Sequence, residues 1–305
     1  MKKLFIACIT TLCIAVSASA QKKSGAIQFE TTMDPAVMAS ASGMQIPPEM
    51  LARMPKSAKT NFELLFTPTN ASYMPVEDAE DSNGGGGGGM NMGRMMMRFG
   101  GGGGNREYFY SFADKKISEV FDMNDTTFVM PGKLQLSTSG PLGSMNLGGN
   151  NNNNANNNGV QYKNEPPVVE VVKTNETKTI LGFKCNKAIV KSTRKIKILD
   201  MDKEVTEETA LWYTNDLGFE FSPNTNMWTE GAVLAIEGRG SSTIAKSIEY
   251  RSVSTKDVTA PKKGVSITAE EYQVKMENMM KRMRGNGTGG ARTGQPGAVR
   301  SIVIN

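Results

Sequence analysis

The 305-residue chain contains no histidine. This absence excludes Ser-His-Asp and Cys-His nucleophile systems, because both use an imidazole as the general base. It also excludes zinc or copper sites built on histidine ligands. Catalysis by carboxylates or by lysine stays formally open, and four carboxylates lie near one another in the sequence: Asp200, Asp202, Glu207 and Glu208. Alternating solvated charges at a hairpin explain these residues as well, so we expect no enzyme activity and no cofactor.

Cysteine is scarce, with 3 residues in the chain. Cys8 and Cys13 lie in an N-terminal segment that we expect to be removed, which leaves Cys185 and no internal disulfide. We expect Cys185 to be a small buried side chain on a strand, as free cysteines often are. The alternative is a reactive or intermolecular thiol, although no histidine is present to lower its pKa.

Long apolar runs are lacking after the first twenty residues. Lys2 and Lys3 precede the apolar run 4–16, and Ala18-Ser19-Ala20 forms a small-x-small cleavage site. This pattern predicts a signal peptide over 1–20 and no transmembrane segment. Neither Cys8 nor Cys13 follows a lipobox, so we expect a soluble exported protein rather than a lipoprotein. The location is then periplasmic, outer-membrane-associated or secreted.

Neither sign of charge is strongly in excess. The net charge is +5, and loss of Lys2 and Lys3 lowers it to +3. No basic patch with interleaved aromatic residues is present, so we expect no nucleic-acid partner.

Two low-complexity inserts interrupt the remaining chain, one rich in glycine over 83–105 and one rich in asparagine over 140–159. Glycine runs are costly to order and asparagine runs bury no apolar surface, so both predict disordered loops. The residues 285–305 read as a flexible C-terminal tail. The interpretation is a single β domain over 21–284.

The first insert also contains a methionine cluster: Met90, Met92, Met95, Met96 and Met97. Thioethers are soft ligands that suit Cu(I), so a periplasmic Cu(I) site is the alternative function. The competing interpretation is low-complexity drift without a ligand.

Apolar and polar residues alternate with a period of two in several segments, which is typical of half-buried antiparallel strands. Turn signals at 123–125 and at Pro131-Gly132 separate some of them. We predict a mainly β (α+β) fold, with one antiparallel curved sheet or partial barrel and one or two packing helices. The alternating segments are 26–31, 61–66, 116–121, 188–191, 195–198 and 247–250.

Two helices are predicted. Pro47 and Pro48 open a segment that runs to Met54, and proline suits the first helical turn. Thr268 and Glu271 have the spacing of a capping box before a second helix. One face of that helix carries Tyr272, Met276, Met279, Met280 and Met283. This face either packs on the sheet or lines an adaptable apolar groove.

The segments Ile180-Leu181-Gly182-Phe183-Lys184-Cys185-Asn186-Lys187-Ala188 and Trp212-Tyr213-Thr214 resemble the core of the GLPGLI family of small secreted proteins from Gram-negative envelopes. Segments 25–30, 62–66 and 71–73 resemble other strands of that family. The resemblance implies a secreted β protein, and it implies no activity because the family's function is not established. Its motif residues are Gly182, Phe183, Cys185, Lys187, Trp212, Tyr213 and Thr214.

The resemblance breaks down where the family carries Gly-Leu-Pro-Gly-Leu-Ile. This chain has Trp228-Thr229-Glu230-Gly231-Ala232-Val233-Leu234-Ala235-Ile236-Glu237 there. The leading Gly-Leu-Pro is missing, although an apolar strand follows. The chain is therefore similar to a divergent member or to a sister family.

The motif itself needs no active site. Gly182 suits a tight turn or a bulge. Trp212 and Tyr213 are adjacent, so on a strand they face opposite sides, and we expect one in the core and the other on an exposed face or groove. The expected function is non-enzymatic binding of an envelope protein or an apolar or lipid ligand on the sheet face. A loose topological similarity to periplasmic lipoprotein carriers motivates the lipid.

A short motif at a predicted turn concerns modification. Asp125-Thr126-Thr127 fits an Asp-(Ser/Thr)-small pattern for O-glycosylation, and Thr126 and Thr127 are the candidate acceptors. The pattern is short enough to occur by chance.

Overall fold

The computed structural model describes residues 24–41, 49, 56–76, 106–123, 125–137, 160–162, 167–198 and 201–287. This part of the chain is mostly β-structure, as predicted, and its strands form one 13-stranded curved sheet. The glycine-rich and asparagine-rich inserts lie outside the described residues, as does the predicted signal peptide.

The strands and helices have the following bounds. The strands are β1 (Gly25–Met33), β2 (Ala58–Phe66), β3 (Asn70–Val76), β4 (Glu107–Ser111), β5 (Lys116–Met123), β6 (Thr126–Gly132), β7 (Val160–Tyr162), β8 (Val168–Ile180), β9 (Phe183–Ile198), β10 (Met201–Thr214), β11 (Ala232–Gly238), β12 (Ser241–Tyr250) and β13 (Val265–Ser266). The helices are α1 (Pro35–Ala41) and α2 (Ala269–Gly287).

The sheet consists of two antiparallel meanders that meet at β1 and β12. Strands β1 to β6 lie next to one another in chain order on one side of this junction. On the other side lie β12, β11, β10 and β9, in that order. The pairing of β1 with β12 joins chain segments that are more than two hundred residues apart in the sequence, as in Ile27 with Ile248. At one end of the sheet, β7 and β8 pair with successive stretches of β9.

All six predicted alternating segments lie in strands. Two of them, 188–191 and 195–198, belong to the single long strand β9. The turn predicted around Asp125 is confirmed, because Met123 pairs with Thr126 across a two-residue loop. The turn predicted at Pro131-Gly132 was wrong, since β6 pairs with β5 as far as Gly132.

Aromatic side chains fill the core on one face of β1 to β4. The connection between β10 and β11 lays Phe221 on this face, where its ring centroid lies 5.7 Å from Phe29, 5.4 Å from Tyr73 and 5.3 Å from Tyr110. Phe219 of the same connection packs against Phe66, with 5.3 Å between the two ring centroids. The connection thereby covers this face of the sheet with its own side chains.

Helix α1 was not predicted. Asp34 caps it, because the backbone amides of Ala36 and Val37 both donate to its Oδ1 at 3.0 Å. Asp34 followed by Pro35 is a helix-start signal that the sequence does contain. The helix predicted over 47–54 lies outside the described residues except for Glu49.

Helix α2 and its capping box are confirmed. The amide of Thr268 donates to Glu271 Oε2 at 2.9 Å, and the amide of Glu271 donates to Thr268 Oγ1 at 3.2 Å. The helix continues to Gly287, past the predicted start of the tail. It belongs to a second compact unit, 266–305. Packing of its methionines on the sheet therefore stays a prediction. No described helix is long and apolar enough to cross a membrane.

Candidate functional site

The motif begins at the turn that joins β8 to β9. Ile180 pairs with Phe183, so Leu181 and Gly182 form a two-residue hairpin loop. Both have positive φ, 50° at Leu181 and 84° at Gly182, which is the conformation of a type I′ turn. Gly182 thus occupies the tight turn that the sequence predicts, and the turn fixes the register of the following strand.

Cys185 lies two residues into β9 and is fully buried. Burial raises the pKa of its thiol to about 11. Its Sγ lies 3.7 Å from the carbonyl oxygen of Phe183. The expectation of a buried cysteine on a strand is confirmed, and a thiol with this pKa is protonated at neutral pH.

Trp212 is the centre of a charged cluster. Its indole Nε1 donates to Glu237 Oε2 at 3.0 Å. The Nζ of Lys178 donates to the other oxygen of this carboxylate, Oε1, at 2.9 Å. The ammonium groups of Lys178 and Lys187 also lie 5.3 and 5.4 Å from the Trp212 ring centroid, within cation–π range. Residues from β8, β9, β10 and β11 therefore meet at one indole ring.

A glutamate of β8 neutralises the second lysine of this cluster. Lys187 Nζ lies 3.0 Å from Glu176 Oε1 and 2.9 Å from Glu176 Oε2. The charges around Trp212 are thus paired with one another. Such a cluster holds strands together, and its lysines are already occupied by carboxylates.

Tyr213 has an equivalent arrangement on the opposite face of the sheet. Its hydroxyl bonds the carboxylate of Glu230, and Lys173 of β8 binds that carboxylate at 2.8 Å. Burial, together with this bond, raises the pKa of Tyr213 to about 12. The hydrogen bonds from Lys173 and from Tyr213 lower the pKa of Glu230.

The two arrangements together clamp β8 to the rest of the sheet. Each joins a lysine of β8 to a glutamate and then to an aromatic residue of β10, reaching across β9. The opposite directions of Trp212 and Tyr213 were predicted correctly, since the two lie in different core clusters. The expectation that one of them lines an exposed face was wrong, because Trp212 is 7% exposed and Tyr213 4%. Side chains of the chain itself cover both faces of the sheet here.

Gly231 is a packing position that the motif did not identify. It has a φ of 59°, and a Cβ at this position would lie 2.6 Å from the backbone oxygen of Thr214. Its carbonyl oxygen accepts from Trp228 Nε1 at 2.9 Å. Thr214, the last motif residue, is buried, and its Oγ1 accepts from the amide of Asp216 at 3.2 Å. The sequence signal that could have identified this position is a glycine directly before an apolar strand.

The outer parts of β8, β9 and β10 form a surface that we call the arm, comprising Val168–Lys173, Val190–Ile198 and Met201–Thr209. The strand register places Val169, Val171, Val190 and Val205 on one side, which we call the valine face. Val171 is 38% exposed and Val205 39%.

The opposite side of the arm is largely polar, although the exposed Val168 stands opposite Thr193 there and Val172 stands opposite Ile189. Lys191 binds Glu208 at 3.1 Å, and the hydroxyls of Thr193 and Thr206 lie 2.8 Å apart. Glu207 and Glu208 face opposite sides of β10, so they do not share one site. Asp200 lies outside the described residues, and Asp202 stands opposite Lys197.

The remaining candidate site residues form no further site in the part of the chain that the structure describes. The methionines 90, 92, 95, 96 and 97 lie outside the described residues, so the copper site stays a prediction. Among the residues the structure describes, no group of three or more His, Cys, Asp or Glu could hold a metal ion. Thr127 Oγ1 donates to Asp122 at 2.6 Å, and glycosylation of Thr126 or Thr127 stays a prediction.

Comparison with known proteins gives no family for this chain. No family model matches it, and no curated protein matches it. Among solved structures it is similar to PNGF-II in two crystal forms, with TM-scores of 0.44 and 0.43 and 12% sequence identity in both cases. These alignments cover 86% of this chain and about a third of PNGF-II, 33% and 34%.

Proposed function

We propose that the chain is an exported, non-enzymatic cell-envelope protein, related to the GLPGLI family, that binds a protein partner on the valine face of its arm. The observation that carries the proposal is the exposure of Val171 on β8 and of Val205 on β10, which lie on the same side of the sheet with β9 between them. The signal-like N-terminus and the lack of histidine support the exported, non-enzymatic part.

The composition of the valine face favours a protein over an acyl chain. The register places Ser192 and Arg194 of β9, and Glu207 of β10, among its valines. A small apolar centre with polar and charged residues around it is the usual anatomy of a protein interface. The aromatic side chains of Phe219 and Phe221 already cover the face of β1 to β4.

Site-specific photocrosslinking in the native bacterium tests this proposal. A photoreactive amino acid replaces Val205 on the valine face, and a matched variant carries it at the neighbouring Glu204, which faces the other side. We expect a discrete protein adduct from position 205 and none from position 204. Equal adducts from both positions, adducts of lipid mass alone, or no adduct at 205 would contradict the proposal.

A further inference from the structure

Strand β8 is divided into two parts by a bulge. Its register with β9 shifts between Lys173 and Thr177. The inner part, Thr177–Ile180, ends at the buried Ile180, and Lys178 anchors it to Glu237 at 2.9 Å. The inner part is therefore held by the core and by the cluster around Trp212.

The bulge itself is fixed to β9 at one residue. Thr174 Oγ1 donates to the carbonyl oxygen of Lys187 at 3.4 Å, and Glu176 binds the ammonium group of Lys187 at 2.9 Å. The amide of Glu176 donates to Thr174 Oγ1 at 3.2 Å, which closes a local turn. If the outer part of β8 separates from β9, the separation should therefore end at the bulge.

The outer part, Val168–Lys173, is held much less firmly. Val168 is 69% exposed, and Val171 and Lys173 are exposed as well. Within the described part of the chain, β8 pairs with β9 alone, so its other edge carries no strand. The ion pair of Lys173 with Glu230 at 2.8 Å ties this part to the β10–β11 connection.

We propose that Val168–Lys173 is a strap that opens from β9 independently of the rest of the sheet, with the bulge at 174–176 as its hinge and the Lys173–Glu230 pair as its latch. Segments with little buried apolar surface and exposed backbone hydrogen bonds open at low free energy. The proposal concerns motion within the chain, so it does not depend on the valine face binding a partner.

Opening of the strap has a defined structural consequence. It frees the backbone groups of β9 from Ala188 to Thr193, which pair with the strap in the closed state. It also uncovers Val190, which stands opposite Val171 and is otherwise buried. An unpaired strand edge of this kind is the surface to which an extended chain can add.

Native-state hydrogen exchange of the full chain tests the strap. Amides of 168–173 whose hydrogen bonds are to β9 should exchange at least roughly tenfold faster than those of 177–180, because local opening bypasses global unfolding. The amides of β9 that bond the strap should follow the faster rate. Equal protection of the two parts of β8 would overturn the proposal.

Variants of the latch separate the strap from general fraying. Lys173→Ala should accelerate exchange of 168–173 by roughly two- to fivefold, the range expected for an exposed ion pair, and leave 177–180 unchanged. Glu208→Ala is the matched control, because it removes the exposed Lys191–Glu208 pair from β10, a strand that does not pair with the strap. Acceleration along all of β8 by Lys173→Ala, or the same effect from Glu208→Ala, would contradict the latch.

Discussion

At the residue scale, Gly231 shows how one position can fix the entry to a strand. Its φ of 59° is in the left-handed region, and the space where a Cβ would stand is filled by Thr214 O at 2.6 Å and Asn215 Oδ1 at 2.5 Å. The carbonyl oxygen of Gly231 also accepts a hydrogen bond from the indole Nε1 of Trp228. Conformation and space therefore both require glycine.

We predict that Gly231→Ala lowers the free energy of unfolding by more than the roughly 1–2 kcal/mol that a left-handed L-residue costs. The additional loss comes from displacing the backbone of Thr214. Gly218→Ala is the matched control, because Gly218 has a φ of 74° with nothing within 4 Å of the added Cβ. Urea denaturation of both variants measures the difference, and equal losses would show that space at Gly231 is not limiting.

The two tryptophans provide an internal comparison for a pH experiment. The indole of Trp212 donates to the carboxylate of Glu237, whereas that of Trp228 donates to a backbone carbonyl. Burial raises the pKa of Glu237, but hydrogen bonds from Lys178 and Trp212 outweigh it, and the pKa lies below its usual value of 4.5. Glu237 therefore stabilises the fold above pH 4.5, and this contribution is lost as the pH falls through the lowered pKa.

We predict that acidification below pH 4.5 shifts the NMR signal of the Trp212 indole proton and leaves that of Trp228 in place. Protonation of Glu237 weakens its bonds to Trp212 and to Lys178. The variant Glu237→Gln should abolish the pH-dependent shift, because the amide does not titrate. Parallel shifts of both indole signals, before any unfolding, would argue against the assigned contact.

At the scale of elements, alternation predicted the strands that have one side in the core, such as β1, β2 and β5. The positions of Trp212 and Tyr213 followed from the same period of two. The partners of these residues could not be predicted, since Lys178 and Glu237 are 59 residues apart and meet only through the order of β8 to β11. The burial of both aromatic residues also depends on the β10–β11 connection, whose sequence shows no periodic pattern.

The start of helix α2 was predicted from two residues, Thr268 and Glu271. We predict that Thr268→Ala destabilises its first turn by about 0.5–2 kcal/mol, because the variant removes the side-chain cap of the helix. Exchange of the Glu271 amide, which donates to Thr268 Oγ1 at 3.2 Å, reports the loss directly.

Val274→Ala is the control within the same helix. Val274 is exposed, and alanine has the higher helix propensity, so this variant should retain or increase helicity. If exchange of the Glu271 amide were unchanged in Thr268→Ala, the capping box would contribute nothing to α2.

At the scale of the whole molecule, long-range contacts of two kinds join the two meanders. Strands β1 and β12 pair along their length, and the β10–β11 connection then crosses to the face of β1 to β4. Phe221 is fully buried there among rings from β1, β3 and β4. The second meander thus supplies part of the core of the first.

We predict that Phe221→Ala lowers the free energy of unfolding by about 3–5 kcal/mol, since it leaves a cavity among rings that cannot all collapse into it. Because β1 still pairs with β12 and Phe219 still contacts Phe66 in this variant, the sheet should still unfold in one transition when followed by tyrosine and tryptophan fluorescence separately. Val168→Ala, at an exposed position of the same sheet, should change the midpoint little. Two separate transitions in Phe221→Ala would contradict the prediction, because they would show that the β1–β12 pairing does not couple the two meanders without Phe221.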